Sequence, residues 1–227
     1  MNKILKTAFL ATVPVLSGYL VLGFGFGMVL RAAGFHILLA FAMSAFIYAG
    51  SMQYVAIGLL TGGASLITAA LTTLMVNARH LFYGVSMLER YRGMGKIKPY
   101  LIFALTDETY SLVCGDLSHI PPEEHKRYFF LVSLLNHLYW IAGSVLGAIA
   151  GALVSFDSTG IDFALTALFV TVLLDQWLHT KKHGPAIMGI AASVVCLLIF
   201  GRESFLIPAM IVITLLLCFY KEERNHA

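Results

Sequence analysis

Charge is what this sequence has least of. Lys, Arg, Asp and Glu make up 12% of its 227 residues against 59% hydrophobic residues, and the mean hydropathy is +0.84. A soluble domain carries about twice that share of charge, so a water-soluble enzyme or binding module is excluded. The formal net charge of +3 comes without a run of like charge, which argues against a nucleic-acid surface. Only three cysteines occur, Cys114, Cys196 and Cys218, each in or beside a separate apolar segment. Without paired spacing they support neither a disulfide framework nor a zinc site, and they read as packing residues. The alternating apolar and polar stretches of an outer-membrane barrel are also missing. So are His-Glu-x-x-His, Gly-x-Ser-x-Gly and any cluster at metal-ligand spacing. His179 and His183 stand four apart, but Lys181 and Lys182 between them oppose a metal dication. No enzyme, metal or cofactor is expected.

What is present is a series of apolar segments, at 8–30, 37–60, 64–88, 99–115, 128–154, 161–178, 184–200 and 203–220. A bilayer leaves backbone groups no water to bond, and about 20 helical residues cross its hydrocarbon core. The expected fold is therefore all-α, a polytopic membrane bundle of seven or eight segments forming one transporter domain over 1–227. Lys3 and Lys6 before the first segment resemble a signal peptide, but its apolar character runs on to Leu30, too far for a signal core.

If all eight segments cross with the N-terminus inside, eight Lys and Arg fall inside and six outside. The outside set includes Arg90, Arg92, Lys96 and Lys98, against the positive-inside tendency. That conflict points to a broken or re-entrant segment early in the chain. Leu22-Gly23-Phe24-Gly25-Phe26-Gly27 is echoed by Leu146-Gly147-Ala148-Ile149-Ala150-Gly151. Glycines four apart share a helix face and let another backbone approach, so packing is the expected role.

Arg79, His80, Asp107, Glu108 and Asp175 interrupt apolar segments. An ionised group near the bilayer centre costs about 2.5–3.5 kcal/mol on insertion scales, so it pairs, faces a cavity or carries function. Arg79 can pair with Asp107 or Glu108, leaving one carboxylate to bind and release a proton; the plain alternative is that both acids sit at a helix end facing headgroups. Asn77 and His80, three apart, share a helix face, and His80 is a candidate proton carrier or a structural donor. Tyr48-Ala49-Gly50-Ser51-Met52-Gln53 and Asn136-His137-Leu138-Tyr139-Trp140 collect uncharged polar groups. Gln53 and Asn136 are candidate substrate contacts there, with interhelical hydrogen bonding as the alternative.

Ala49-Gly50-Ser51-Met52-Gln53, Asn77-Ala78-Arg79-His80-Leu81-Phe82-Tyr83-Gly84, Thr106-Asp107-Glu108, Asn136-His137-Leu138-Tyr139-Trp140 and Asp162-Phe163-Ala164-Leu165-Thr166-Ala167-Leu168-Phe169 together resemble, in order, the AzlC family. These are the large subunits of bacterial branched-chain amino-acid exporters, also called LIV-E. The resemblance implies efflux of valine, leucine, isoleucine and analogues across the bacterial plasma membrane, with a small AzlD-type membrane partner. Met52 stands where the family has a smaller residue, and His137 where it has glutamine. An amino-acid site needs a cationic or amide-rich end, an acidic end and an apolar wall. Arg79 and Asn77 suit the carboxylate, Asp107 or Glu108 the ammonium or a proton, and Phe82, Met52 and Tyr48 the wall. A passive channel for small zwitterions and a non-transporting accessory subunit are the rival readings.

Overall fold

The computed structural model describes residues 3–115, 117–118, 120–153, 170, 173–174, 177–178 and 183–219, and within them the side chains of Arg79, Phe82, 202–204, 206–207, 210 and 218–219 lie outside the description. Every regular element among the described residues is helical.

Two long helices form the axis of the first part of the chain, α1 (Lys3–Ala32) and α8 (His125–Leu153). At 1.5 Å per residue each is long enough to cross a hydrocarbon core of about 30 Å. They run parallel: Gly143 faces Tyr19 and Leu20, Gly147 faces Phe24, and Gly151 faces Met28 and Arg31, rising together along both helices. The glycine echo is here a backbone contact. A Cβ on Gly147 would run into the Phe24 carbonyl, and one on Gly27 into the Ser144 carbonyl.

The three apolar segments between them are each broken in two. The chain forms α2 (Ile37–Phe46) and α3 (Gly50–Thr61), α4 (Leu66–Val76) and α5 (Ala78–Ser86), then α6 (Lys98–Phe103) and α7 (Asp107–Cys114). Tyr48 makes the first break with φ of 49°, the one positive φ among described non-glycine residues. Asn77 makes the second at φ −95°, ψ 4°. Thr106 makes the third: extended at ψ 174°, it caps α7 by accepting the Thr109 N–H on its side chain. A short polar side chain that takes an orphan N–H starts a new helix.

These breaks reverse the chain. A buried cluster at one end holds Ile4 and Ala8 of α1, Met87, Tyr91 and Met94 of the following connector, Leu101 and Leu105, Val113, and Tyr128, Phe129 and Val132 of α8. Arg90 donates to the carbonyls of Val113 (2.7 Å) and Gly115 (3.1 Å), closing the end of α7. So α6 enters and α7 leaves at the end where α1 and α8 begin. The α2–α3 pair is its counterpart from the far end. Ser44 reaches His137 and Gly50 lies against Trp140, but four residues on Tyr54 has turned back toward the C-terminal end of α1, bonding the Leu22 carbonyl at 2.7 Å and packing on Phe26. Two helical hairpins thus enter from opposite ends, joined by α4–α5. Segments 37–60 and 99–115, considered as crossings when all eight segments span, each form one of these hairpins.

Contacts divide the chain into two compact units, Met1–Ala164 and Leu165–Ala227. In the second, α9 (Gly184–Ser204) turns at Gly201, φ 71°, and packs on α10 (Leu206–Phe219), while Trp177 stacks on His183 at 4.1 Å. Most of segment 161–178, including Asp175 and the stretch 162–169, lies outside the described residues. Among the described residues, Lys3–Ala32, Pro122–Leu153 and Gly184–Gly201 are long and apolar enough to cross a membrane.

Candidate functional site

The two hairpin tips meet beside the middle of α1 and α8, and that is where the polar residues gather. Tyr19, buried in α1, donates to Glu108 Oε2 at 2.6 Å and lies 2.7 Å from Thr106 Oγ1. Thr106 bonds Thr109 Oγ1 at 3.1 Å, and Asn136 Nδ2 donates to that same oxygen at 3.0 Å. One chain of hydrogen bonds therefore links α8, the tip of the α6–α7 hairpin and α1, and it ends on a carboxylate.

The other tip is fixed just as firmly. Gln53 Nε2 donates to Ser44 Oγ at 3.1 Å, and Gln53 Oε1 accepts from Trp140 Nε1 at 2.8 Å. Both ends of that fully buried amide are therefore occupied, and Gln53 pins α3 to α2 and α8. Trp140 itself packs edge-on to Tyr19 and stacks on Phe26. Tyr48, 3% exposed, packs against His137 with ring centroids 4.3 Å apart and the planes tilted by 34°, and lies 6.1 Å from the Phe103 ring. Its hydroxyl shares the electrostatic surroundings of Tyr19, Thr106 and Glu108. Yet it makes no well-formed hydrogen bond among the described residues, and neither does Asn136 Oδ1. A buried polar atom without a partner costs about 1–3 kcal/mol, and Tyr91, Ser133 and Ser144 carry others of the kind away from the tips.

The helix starts at the two tips are electrically opposite. α3 begins at Gly50 with no side-chain cap and no acid in its first turn, so its positive dipole end is uncompensated by the helix itself. α7 begins with Asp107 and Glu108 behind the Thr106 cap, which makes its start anionic.

Of the residues singled out from sequence, Tyr48, Met52, Gln53, Asp107, Glu108 and Asn136 belong to these tips or to the α8 face against them. Asn77 and His80 belong to the α4–α5 break instead. The Asn77 carbonyl lies 3.2 Å from His80 Nδ1, and the His80 ring sits edge-on to Tyr83. Arg79 follows on the backbone of α5, but its side chain and that of Phe82 lie outside the described residues, and so does the expected pairing of Arg79 with an acid. Sequence reasoning missed Tyr19, Ser44, Thr109 and Trp140. Thr106 with Asp107 and Glu108 carried a legible helix-start signal; a tyrosine inside an apolar helix carried none.

Comparisons with known proteins agree on one family. The AzlC protein family matches residues 14–154, well over half of the chain. The branched-chain amino acid transport protein AzlC of Bacillus subtilis (strain 168) is 46% identical over 209 residues, covering 92% of this chain and 82% of that protein. An uncharacterized membrane protein of Helicobacter pylori (strain ATCC 700392 / 26695) is 42% identical over 97% of this chain and 96% of its own length. The inner membrane protein YgaZ of Escherichia coli (strain K12) is 31% identical over 72% of this chain and 69% of its own. No solved structure matches. A multi-pass protein of the bacterial inner membrane, the chain belongs to the AzlC family.

Proposed function

We propose that this chain exports branched-chain amino acids, valine, leucine, isoleucine and their analogues, in exchange for protons. The Bacillus subtilis relative is named for branched-chain amino acid transport, and the pairing of a cap-free helix start with an acidic one carries the reading on the structural side. A zwitterion needs both poles. Broken helices whose N-termini meet in mid-membrane are how transporters hold a carboxylate where no water can.

In this scheme the substrate carboxylate meets the start of α3 with Arg79 and Asn77, and the ammonium meets Asp107 or Glu108. Tyr48, Met52 and Phe82 supply the wall, and Asn136 a polar contact. Asp107, Glu108 and His80 are the groups available to carry the proton. A small AzlD-type membrane subunit is the expected partner.

The charge distribution supports a cytoplasmic N-terminus. Residues 1–153 contain ten Lys and Arg. Lys3, Lys6, Arg90, Arg92, Lys96, Lys98, Lys126 and Arg127 belong to the end where α1 and α8 begin, Arg31 to the opposite end, and Arg79 lies between. With two re-entrant hairpins, the 90–98 connector joins the positive-inside set rather than opposing it.

The test is leucine counterflow in proteoliposomes, with and without an imposed proton gradient and with and without the small partner. Gradient-driven accumulation supports an exchanger. Flux indifferent to the gradient supports a passive channel, and flux that never needs this chain supports an accessory role.

A further inference from the structure

Each hydroxyl at the α6–α7 tip owns one hydrogen, so the directions of its bonds can be worked out. Tyr19 Oη lies 2.6 Å from Glu108 Oε2 and 2.7 Å from Thr106 Oγ1, and it donates to one of them while accepting from the other. An ionised Glu108 only accepts. Tyr19 then donates to it, Thr106 donates to Tyr19, and Thr109 donates to Thr106 across 3.1 Å. The Asn136 amide N–H completes the chain on Thr109 at 3.0 Å. Every hydrogen in the chain points toward the carboxylate.

A protonated Glu108 reverses the chain. Its O–H donates to Tyr19, Tyr19 turns to Thr106 and Thr106 turns to Thr109, while Thr106 accepts the Thr109 N–H in both states. All four contacts are kept with the heavy atoms in place. Only the Thr109 hydrogen is displaced, and it belongs to the residue bonded to Asn136, whose amide carries an acceptor oxygen, buried without a bond among the described residues, as well as its N–H. A Lys, Arg or backbone N–H partner only donates, and would be left facing an O–H once the acid is protonated. Among the described side chains no Lys, Arg or His pairs with Glu108. Where the bilayer makes an unmatched donor costly, a partner set of hydroxyls lets a carboxyl change charge without moving.

We propose that Glu108 is the proton carrier of the exchange and that Tyr19, Thr106 and Thr109 are positioning residues that hold its carboxyl in both charge states, which leaves Asp107 for the substrate ammonium. The inference rests on the exchange reading above and narrows it to one acid. The O–H bond forms at Glu108 Oε2 with a proton from water on one side of the membrane, and breaks to return that proton to water on the other. The hydroxyl hydrogens turn but stay on their own oxygens. The titratable groups around the carboxyl are Tyr19 of α1, Tyr48 of the α2–α3 turn and the adjacent Asp107 of α7; Tyr100 of α6 and His137 of α8 lie beyond Tyr48. Arg79 belongs to α5, with its side chain outside the described residues.

Infrared difference spectra of the full chain in liposomes, recorded over a pH series without substrate, test it. A protonated-carboxyl C=O band should grow on acidification in the wild type, lack its Glu108 component in Glu108→Gln, and persist whole in Asp107→Asn. Tyr19→Phe keeps the carboxyl, and should retain the band with its pH midpoint moved, because the ionised form loses the stronger, charge-assisted bond. In proteoliposomes, an imposed proton gradient should no longer change leucine flux through Glu108→Gln. A spectrum of Glu108→Gln identical to the wild type, or flux through that variant that still follows the gradient, overturns the proposal. A midpoint unmoved in Tyr19→Phe overturns the role given to Tyr19. Absence of leucine flux from the wild type under every gradient overturns the exchange reading instead, and the infrared band still decides whether Glu108 takes up the proton.

Discussion

Tyr19, midway along α1, donates a hydrogen bond from its phenol to Glu108, the second residue of α7, at 2.6 Å. The bond fastens a hairpin tip to α1, the longest helix among the described residues, through a polar contact among apolar walls. A tip held this way is located sharply, and it can also be released.

Tyr19→Phe removes that bond while keeping the ring against Trp140. A hydrogen bond to a charged group is worth about 1.5–3 kcal/mol, so the melting temperature in detergent should fall by several degrees. Leucine flux should fall about tenfold or more, since roughly 1.4 kcal/mol is a factor of ten. Wild-type flux with lowered stability would leave Tyr19 a purely structural fastener.

Tyr48→Phe gives the opposite pattern. The Tyr48 hydroxyl is buried, with Tyr19 and Thr106 beside it but no well-formed hydrogen bond among the described residues, so deleting it should cost little stability, under about 1 kcal/mol. The leucine KM should rise several-fold. An unchanged KM would remove this hydroxyl from the substrate site.

Gly147→Ala tests the α1–α8 contact. Its new methyl would meet the Phe24 carbonyl, which backbone cannot yield cheaply, and overpacking of this kind costs about 1–3 kcal/mol. Gly58, inside α3 with nothing within 4 Å of an added Cβ, is the control. Gly58→Ala should stabilise by about 0.5–1 kcal/mol, as read by thermal unfolding of both variants.

Lys96→Cys and Thr61→Cys test the hairpins. A membrane-impermeant maleimide applied to intact cells should label Thr61→Cys and spare Lys96→Cys, and inverted vesicles should reverse the result. Labelling of Lys96→Cys from outside would restore straight crossings for both 37–60 and 99–115.

The helical class and the apolar segments were plain in the sequence, because a bilayer tolerates few alternatives. The directions of the segments were not. Ala49-Gly50-Ser51 and Thr106-Asp107-Glu108 read as polar spots, yet nothing in their composition says that the chain turns back there. The misplaced charges of Arg90, Arg92, Lys96 and Lys98 were the one sequence signal of re-entry, and packing of Tyr91 and Met94 against Ile4 and Tyr128 accounts for them. Glu108 was visible as an acid in a greasy segment. Its partner Tyr19 was not, since a tyrosine 89 residues away in sequence is joined to it only by tertiary structure.

The central claim is that the converging hairpin tips hold a branched-chain amino acid on its way out, with Arg79 of α5 as the proposed partner of its carboxylate. The most direct measurement is radiolabelled leucine efflux from cells expressing the chain with its small partner, comparing wild type, Arg79→Ala and Glu108→Gln at matched membrane levels. The account predicts efflux from the wild type and its near-complete loss in both variants. Normal efflux through Arg79→Ala and Glu108→Gln would contradict it.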